Sequence, residues 1–365
     1  MKSLCKTFHQ RILSVHTFAL SIVLIVSLLG CGGGGGGGSN GLGVTASPLS
    51  ETIPASLAKI SARPLNNTDH APWVIMHSVI AFRQQAQVLV KETGKTMNAV
   101  EYLCTEARWN NQKIFRNAGG EPALPTRNLS FGLTESYIVQ DHVDQFLYAF
   151  AEAGVLKSQK ILADDGTEFT VADMIKASTM NFVPTQELGW TLVVLPYYLG
   201  ADASFTTKGG VTYNISDLIA LACQRDITKE TEAGTHHLYG VGYALKKHLD
   251  AGGKLDGAWA TARTYLDTHI EKARNSQQSN GIFSIELFGG WKEASSPRLN
   301  VWGNGHMLEW LAFALSPEQL GQEWVKLAAT SLTGEIMNQE LSALSDGGMY
   351  HAVNGLKLYQ SIVNP

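Results

Sequence analysis

The chain has 365 residues, of which 44% are hydrophobic and 16% are charged, and its formal net charge is −4. This length accommodates one large domain or two ordinary ones, and the composition excludes an intrinsically disordered protein. Because the charge is slightly negative and the chain contains no basic block, no nucleic-acid partner is predicted.

The first 30 residues have the pattern of a secretory signal peptide. Lys2, Lys6 and Arg11 form a basic start, and the apolar run FALSIVLIVSLL follows. This run is short for a lasting membrane span. It ends in Leu-Leu-Gly-Cys31, which resembles the lipobox of bacterial lipoproteins. The resemblance implies cleavage before Cys31, a lipid on its thiol and anchoring to a bacterial membrane in the cell envelope, with the outer membrane or the periplasmic face favoured.

Residues 31–69 are predicted to be a glycine-rich tether and linker. Seven glycines follow Cys31 directly. A glycine-rich chain is flexible, so it spaces a folded domain away from a membrane surface. No Gly-Lys-Ser/Thr follows, which excludes a phosphate-binding loop. One folded domain is therefore expected over residues 70–365.

A similar segment recurs six times in the rest of the chain. Each copy has a polar or glycine start, a histidine in five of the six cases, and then an apolar helical run. In chain order the copies are APWVIMHSVIAF, QDHVDQFLYAF, TQELGWTLVVLPYYL, GTHHLYGVGYAL, WGNGHMLEWLAFAL and MYHAVNGLKLY. Amphipathic helical segments such as TVADMIKASTM and NISDLIALACQR lie between them, and the best candidate for a strand is GIFSIELF. The sequence therefore predicts the all-α class.

The six apolar helices are expected to form an inner layer. A helix that is apolar on most faces must be buried, so the amphipathic helices are expected to surround it. The N-termini of the inner helices then gather at one end, where their unpaired N–H groups and polar side chains line a shared cavity.

A local motif points to a known superfamily. Gln277, Gly281 and Phe283 form a segment that resembles the Gln…Gly-x-Trp repeat motif of squalene cyclases, with Phe in the Trp position. Together with GHMLEWLAFAL, it makes the chain similar to the α/α-toroid proteins, which include six-hairpin glycosidases, some polysaccharide lyases and squalene-cyclase-like domains. The resemblance implies an α/α toroid of about six helical hairpins with inner and outer rings. The Asp-x-Asp-Asp motif of squalene cyclases and the zinc-binding cysteine of protein prenyltransferases have no counterpart here, which disfavours those reactions.

The fifth segment carries the most chemistry. His306, Glu309 and Trp310 stand at i, i+3 and i+4, so they share one face of a helix. A carboxylate against a Trp in a dry pocket has a raised pKa, which suits a general acid. Glu309 is thus the predicted acid, with Glu187 as the opposing carboxylate. The predicted catalytic residues are Glu309, His306, Glu187 and His237, and the predicted substrate-binding residues are His77, Trp190, Tyr239, Trp302, Trp310 and His351.

No metal and no cofactor are predicted. His236 and His237 are adjacent on a helix and point to different faces, which makes them a poor pair of ligands. The His-Glu-x-x-His motif of zinc proteases does not occur in the sequence.

The predicted function is that of a membrane-anchored lipoprotein whose toroid cavity binds a carbohydrate. Whether it also cleaves the carbohydrate, by hydrolase or lyase chemistry that uses Glu and His, stays open. Two alternatives also stay open, a non-catalytic binding or scaffolding domain and a terpenoid-binding toroid. A sugar site is expected to be open and polar, a terpenoid site dry and aromatic, and a scaffold filled by its own side chains.

Overall fold

The structure is a computed structural model that describes residues 47–124 and 139–363. The predicted signal peptide, Cys31 and the glycine run lie outside the described residues. The compact unit begins at Ser47. Its α-helices are α1 (Leu49–Ser61), α2 (Pro72–Phe82), α3 (Ala99–Thr105), α4 (Gln145–Glu152), α5 (Val171–Met180), α6 (Thr191–Tyr198), α7 (Ile215–Ala222), α8 (Thr235–Asp250), α9 (Gly257–Ser276), α10 (Pro297–Ala314), α11 (Pro317–Leu320), α12 (Glu323–Asn338) and α13 (Asp346–Val363). The described chain is thus mostly helical, as predicted, and none of its helices has the length and apolar character that a membrane crossing needs.

The six apolar segments all form helices, and these helices contact one another in chain order. Helix α2 packs against α4, α4 against α6, α6 against α8, α8 against α10, α10 against α13, and α13 against α2. The side chains of these helices are buried on most faces. In α2, for example, nine of the eleven residues are buried, and Ile75, Val79 and Ile80 are fully buried. Each apolar helix therefore has two of the others as neighbours.

The amphipathic helices pack on the outside of this set. Helix α3 contacts α2, α5 contacts α4 and α6, α7 contacts α6 and α8, α9 contacts α8 and α10, and α12 contacts α10. Side-chain caps fix the starts of three of them. Asn98 caps α3, while Thr170 with Asp173 and Asn214 with Asp217 form capping boxes at α5 and α7.

The folded unit begins earlier than the sequence predicted. Helix α1 lies within residues 31–69, the segment predicted to be tether and linker, and it packs against α12 and α13. Ile53 and Ile60 on its inner face are buried, and Lys59 donates hydrogen bonds to the carbonyl oxygens of Met337 and Gln339 at the C-terminal end of α12. The start of the domain therefore lies at Ser47 and not at residue 70.

Within residues 47–124 and 139–363, five short antiparallel hairpins connect the helices. They are β1–β2 (Gln87–Val90 with Lys95–Asn98), β3–β4 (Arg108–Trp109 with Gln112–Lys113), β5–β6 (Arg116–Asn117 with Pro122–Ala123), β7–β8 (Lys160–Leu162 with Glu168–Thr170) and β9–β10 (Ser204–Thr206 with Thr212–Asn214). Three of them, β1–β2, β7–β8 and β9–β10, each join an apolar helix to the amphipathic helix that follows it. The segment GIFSIELF, residues 281–288, forms no strand, so that prediction is wrong.

Helix α10 begins at Pro297, six residues before the glycine that was expected to start it. Proline is favoured in the first turn of a helix, where its missing N–H has no partner to lose. As a result, His306 lies in the middle of α10 rather than at its start. Arg298 and Trp302 lie on the first turns of the same helix.

Gly305, next to His306, lies at the contact between α10 and α13. A Cβ atom at Gly305 would lie 2.8–2.9 Å from atoms of Ala352 in α13, and one at Gly355 would lie 2.9 Å from the backbone nitrogen of Glu309. These distances are shorter than side-chain carbon atoms tolerate. The two helices therefore approach closely only because both positions lack a side chain, and this approach brings His306 and His351 together.

We expect the substitution Gly305→Ala to destabilise the fold by about 1–3 kcal/mol, because the added methyl group forces α10 and α13 apart. Gly334→Ala in α12 is the matched control. It also adds a methyl group inside a helix, but there its Cβ meets no atom within 4 Å, so it is expected to stabilise by about 0.5–1 kcal/mol. Urea denaturation of both variants measures the difference. Equal effects of the two substitutions would contradict the close approach.

Candidate functional site

A cavity of about 410 Å³ opens where the N-terminal parts of the apolar helices meet. Its residues come from the first turns of α2, α8, α10 and α13, from the start of α4 and from the connecting loops. The sequence predicted that the N-termini of all six apolar helices line one cavity, whereas α6 contributes no residue to the lining. The floor and the walls of the cavity differ in chemistry.

The floor consists of five histidines. They come from α2, the loop before α4, α8, α10 and α13, and all are buried, with at most 6% of their surface exposed. The five residues are His77, His142, His236, His306 and His351. Neighbouring imidazole rings lie with their centroids 4.3–5.4 Å apart. This is one continuous cluster, because His236 and His351 each contact several of the others.

Two of the histidines are oriented in the same way. His77 and His306 donate from Nδ1 to the carbonyl oxygens of Trp73 and Trp302, each four residues earlier in the same helix, at 2.7 Å. A carbonyl oxygen only accepts, so Nδ1 carries the proton and Nε2 is left with a free lone pair. The Nε2 atom of His77 lies beside Gly347 at the cavity.

A buried carboxylate orients the third. His351 Nδ1 donates to Glu309 Oε2 at 2.8 Å, and both side chains are 2% exposed. Glu309 is held in turn by Asn354, whose Nδ2 donates to Oε1 at 2.7 Å. Glu309 therefore lies behind His351 and does not line the cavity.

His236 differs from the other four. Within the described part of the chain neither of its ring nitrogens has a hydrogen-bond partner, although the residue is only 3% exposed. Its ring packs against Trp190 and against three of the other imidazoles. A buried polar group without a partner is costly, so both nitrogens are available to something that enters the cavity.

His142 is paired with the carboxylate that was predicted to oppose Glu309. Its Nδ1 lies 3.1 Å from Glu187 Oε2. Burial lowers the pKa of His142, but the Glu187 carboxylate outweighs burial, so the pKa is raised overall. His142 is therefore the histidine of the floor that most readily carries a positive charge.

The other four histidines are neutral at pH 7. Burial lowers the pKa of His306 and of His351 to about 3, and it lowers the pKa of His77 and His236 well below the usual value. Their mutual repulsion when protonated adds to this effect. Burial raises the pKa of the Glu309 carboxyl to about 7. The floor therefore presents uncharged imidazoles with free lone pairs.

Three ring nitrogens of the floor converge. One nitrogen each of His236, His306 and His351 lies within 4.8 Å of the other two. For His306 and His351 the nitrogen without a hydrogen bond is Nε2. A second set of three, His142, Glu187 and His236, meets the same distance limit, but there His142 and Glu187 already bond to each other. The sequence prediction of no metal considered ligands within one helix and did not consider ligands from three helices.

The walls of the cavity combine indole rings with charged groups. Trp73, Trp109 and Trp302 are half-buried. Among the described lining residues the carboxylates are Asp69, Asp141, Glu232 and Asp346, and Arg298 supplies the guanidinium group. Asp346 lies 2.6 Å from Arg63, and Asp69 lies 2.8 Å from Lys91. The walls are therefore polar and mildly acidic.

The predicted site residues divide into two groups. His77, His306, His351 and Trp302 line the cavity, as expected. Glu309 and Glu187 lie behind the histidines that they contact. Trp190, Tyr239 and Trp310 are buried beneath or outside the floor. Tyr239 donates to Glu152 at 2.7 Å, Trp190 stacks on Tyr148, and Trp310 packs against Phe288.

His237 is the clearest correction. It points away from the cavity, and its Nε2 lies 3.0 Å from the Ala222 carbonyl oxygen in α7, while Nδ1 faces Glu230 at 3.6 Å. Successive residues of a helix point about 100° apart, so only one of two adjacent histidines faces the cavity. That residue is His236, which was not among the predicted site residues.

One sequence signal that identifies part of the floor was missed. Trp-x-x-x-His occurs at Trp73–His77 and again at Trp302–His306. In both copies the Trp carbonyl accepts from the imidazole, and the indole and imidazole centroids lie 3.9 and 5.2 Å apart. The repeated motif could therefore have identified Trp73 as a residue equivalent to Trp302.

No family model, curated protein or solved structure matches this chain.

Proposed function

We propose that this chain is a lipid-tethered protein of the bacterial cell envelope whose α/α-toroid domain binds a neutral carbohydrate in the cavity floored by histidines. The toroid is supported by the order of helix contacts, in which six apolar helices each pack against two others and amphipathic helices pack outside them. The lipid tether rests on the lipobox resemblance at Cys31.

The observation that carries the carbohydrate proposal is the composition of the cavity walls. Half-buried indole rings beside carboxylates and a guanidinium group offer apolar plates and hydrogen-bond partners in one space. A volume of about 410 Å³ is within the range of small-molecule sites. The excess of carboxylates favours a neutral sugar over an acidic polysaccharide, because like charges repel.

The same walls argue against the two alternatives. A terpenoid site calls for a dry aromatic surface, whereas this floor is built from imidazoles and these walls carry carboxylates. A scaffold whose inner groups only satisfy each other leaves no open volume, and it does not explain the unpartnered nitrogens of His236.

Cleavage by Glu309 as a general acid is not part of the proposal. Glu309 contacts His351, Asn354 and Tyr148 and lies behind the floor. Its role is to position His351. A bond-breaking step in this cavity therefore requires a different acid or electrophile.

We expect Trp302→Ala to weaken carbohydrate binding about tenfold, because it removes a stacking surface worth about 1–1.5 kcal/mol. Trp291→Ala is the matched control, since Trp291 is 48% exposed and does not line the cavity. The measurement is calorimetric titration of the full-length chain with neutral and acidic oligosaccharides, after a thermal-shift screen. We expect a neutral glycan to bind the parent chain and Trp291→Ala equally well and Trp302→Ala about tenfold more weakly. If no glycan binds, the carbohydrate proposal is wrong, and stabilisation by an isoprenoid instead favours the terpenoid alternative.

A further inference from the structure

We infer that His236, His306 and His351 together bind one divalent transition-metal ion at the floor of the cavity. The inference rests on the arrangement of the three imidazoles and does not depend on the carbohydrate proposal.

The first argument is convergence. The three side chains come from three different helices, α8, α10 and α13, and one ring nitrogen of each lies within 4.8 Å of the others. A tetrahedral zinc ion with nitrogen ligands at about 2.0–2.1 Å separates those nitrogens by about 3.4 Å. Small changes in side-chain torsions close the remaining gap.

The second argument is orientation. A histidine that binds a metal through one nitrogen usually donates from the other to a carbonyl or carboxylate, which fixes the ring. His306 does so to the Trp302 carbonyl oxygen and His351 to Glu309. In both cases Nδ1 is the donor, so Nε2 is free to coordinate. His77 makes the same contact, to the Trp73 carbonyl oxygen, and its ring lies next to that of His351.

The third argument is the state of His236. Its two buried ring nitrogens have no hydrogen-bond partner among residues 47–124 and 139–363. Burying an imidazole without a partner for its ring nitrogens costs free energy of folding. A metal ion shared with His306 and His351 gives it one.

The donor set indicates the kind of metal. Three imidazoles and no thiolate suit Zn²⁺, Cu²⁺, Ni²⁺ or Fe²⁺ far better than Mg²⁺ or Ca²⁺, which prefer oxygen. Three histidine ligands leave a fourth position for water or substrate, as in catalytic zinc sites, whereas structural zinc sites use four protein ligands. That fourth position faces the cavity, and the acidic walls favour the approach of a cation.

The test is titration of the full-length chain, freed of metal by a chelator, with Co²⁺ followed by Zn²⁺. The expected result is one equivalent of Co²⁺ with the intense visible absorption of a tetrahedral site, displaced by one equivalent of Zn²⁺. Failure of the parent protein to bind stoichiometric metal overturns the inference.

Two variants and a matched control assign the ligands. His236→Phe keeps the ring shape and breaks no hydrogen bond of the described residues, and it is expected to weaken metal binding more than 100-fold. His269→Phe is the control, because His269 is also buried and also donates to a carbonyl four residues earlier, at 2.8 Å, but lies outside the cavity. It is expected to leave binding unchanged. Unchanged binding in His236→Phe, or an equal loss in both variants, contradicts the assignment.

Glu309→Gln provides an independent readout if His236→Phe does not fold. Replacing the carboxylate that orients His351 is expected to weaken metal binding about 10–100-fold while the tetrahedral spectrum persists. Unchanged affinity in Glu309→Gln contradicts the role of His351.

Discussion

Acidification from pH 7 to pH 4.5 is expected to unfold the metal-free chain. His77, His236, His306 and His351 have pKa values that burial lowers in the folded state, whereas in the unfolded chain a histidine titrates near 6.5. Above pH 6.5 these four residues are neutral in both states and contribute no pH dependence. Below pH 6.5 the unfolded chain binds protons that the folded chain does not, so stability falls as the pH falls.

The expected slope is steep. Each such histidine removes about 1.4 kcal/mol of stability per pH unit below 6.5, so four remove about 5 kcal/mol per unit. A domain has about 5–15 kcal/mol in total, so a loss at this rate places the acid transition between about pH 5.5 and about pH 3.5. His142 and Glu309 act in the opposite direction, since their pKa values are raised in the folded state, that of Glu309 to about 7. They move the transition to lower pH, but they are two groups against four.

The measurement is urea denaturation in a chelator at intervals of half a pH unit. His236→Phe removes one of the four groups, so its slope is expected to be smaller by about 1.4 kcal/mol per pH unit. Gly334→Ala changes no titratable group and is expected to keep the parent slope. A free energy of unfolding that stays level from pH 7 to pH 4.5 would show that the imidazoles are not buried as neutral groups.

Loss of Arg83 is expected to cost about 3–5 kcal/mol of stability, because it leaves a buried carboxylate without its charged partner. Arg83 Nη2 lies 2.5 Å from Glu152 Oε2 and donates to Asn354 Oδ1 at 2.7 Å. The Glu152 side chain is 8% exposed. Since Asn354 also holds Glu309, this network connects the cavity floor to the far end of the inner helices.

Arg83→Met is the substitution to measure, with Lys246→Met as the matched control. Lys246 pairs with Asp250 at 2.8 Å, but both side chains are more than half exposed, so breaking that pair is expected to cost less than about 1 kcal/mol. The double variant Arg83→Met/Glu152→Gln is expected to regain part of the loss, because no buried charge is then left unpaired. If Arg83→Met costs no more than Lys246→Met in urea denaturation, the network does not stabilise the fold.

The inner helices were predictable from sequence because burial on most faces leaves a strong signal. All six apolar segments became helices, and their histidines meet at one cavity. The residues at which the helices begin were harder to predict from the sequence. Gly303 and Gly305 were interpreted as a helix start, whereas both lie inside α10 and Gly305 allows α13 to approach. Ser296-Pro297 was the better start signal.

Which polar residue faces the cavity depends on how the helix is rotated about its own axis. The sequence does not determine this rotation closely enough to choose between two adjacent residues. His237 was therefore chosen where His236 lines the floor. Glu309 was predicted to line the cavity, whereas it lies behind the floor. Its partner is His351 on α13, and a contact between helices leaves no local pattern. The hairpins were missed because their strands of two to four residues are too short to show alternation.

The most direct test of the account is a measurement of the ring-nitrogen chemical shifts of ¹⁵N-histidine in the metal-free, full-length chain at pH 7. We predict that His77 and His306 are neutral, with the proton on Nδ1 and a free Nε2. We also predict that the Nε2 signals of His306 and His351 shift on addition of one equivalent of Zn²⁺. Imidazoles that carry the proton on Nε2, or on both nitrogens, have no lone pair to offer the cavity and would contradict it.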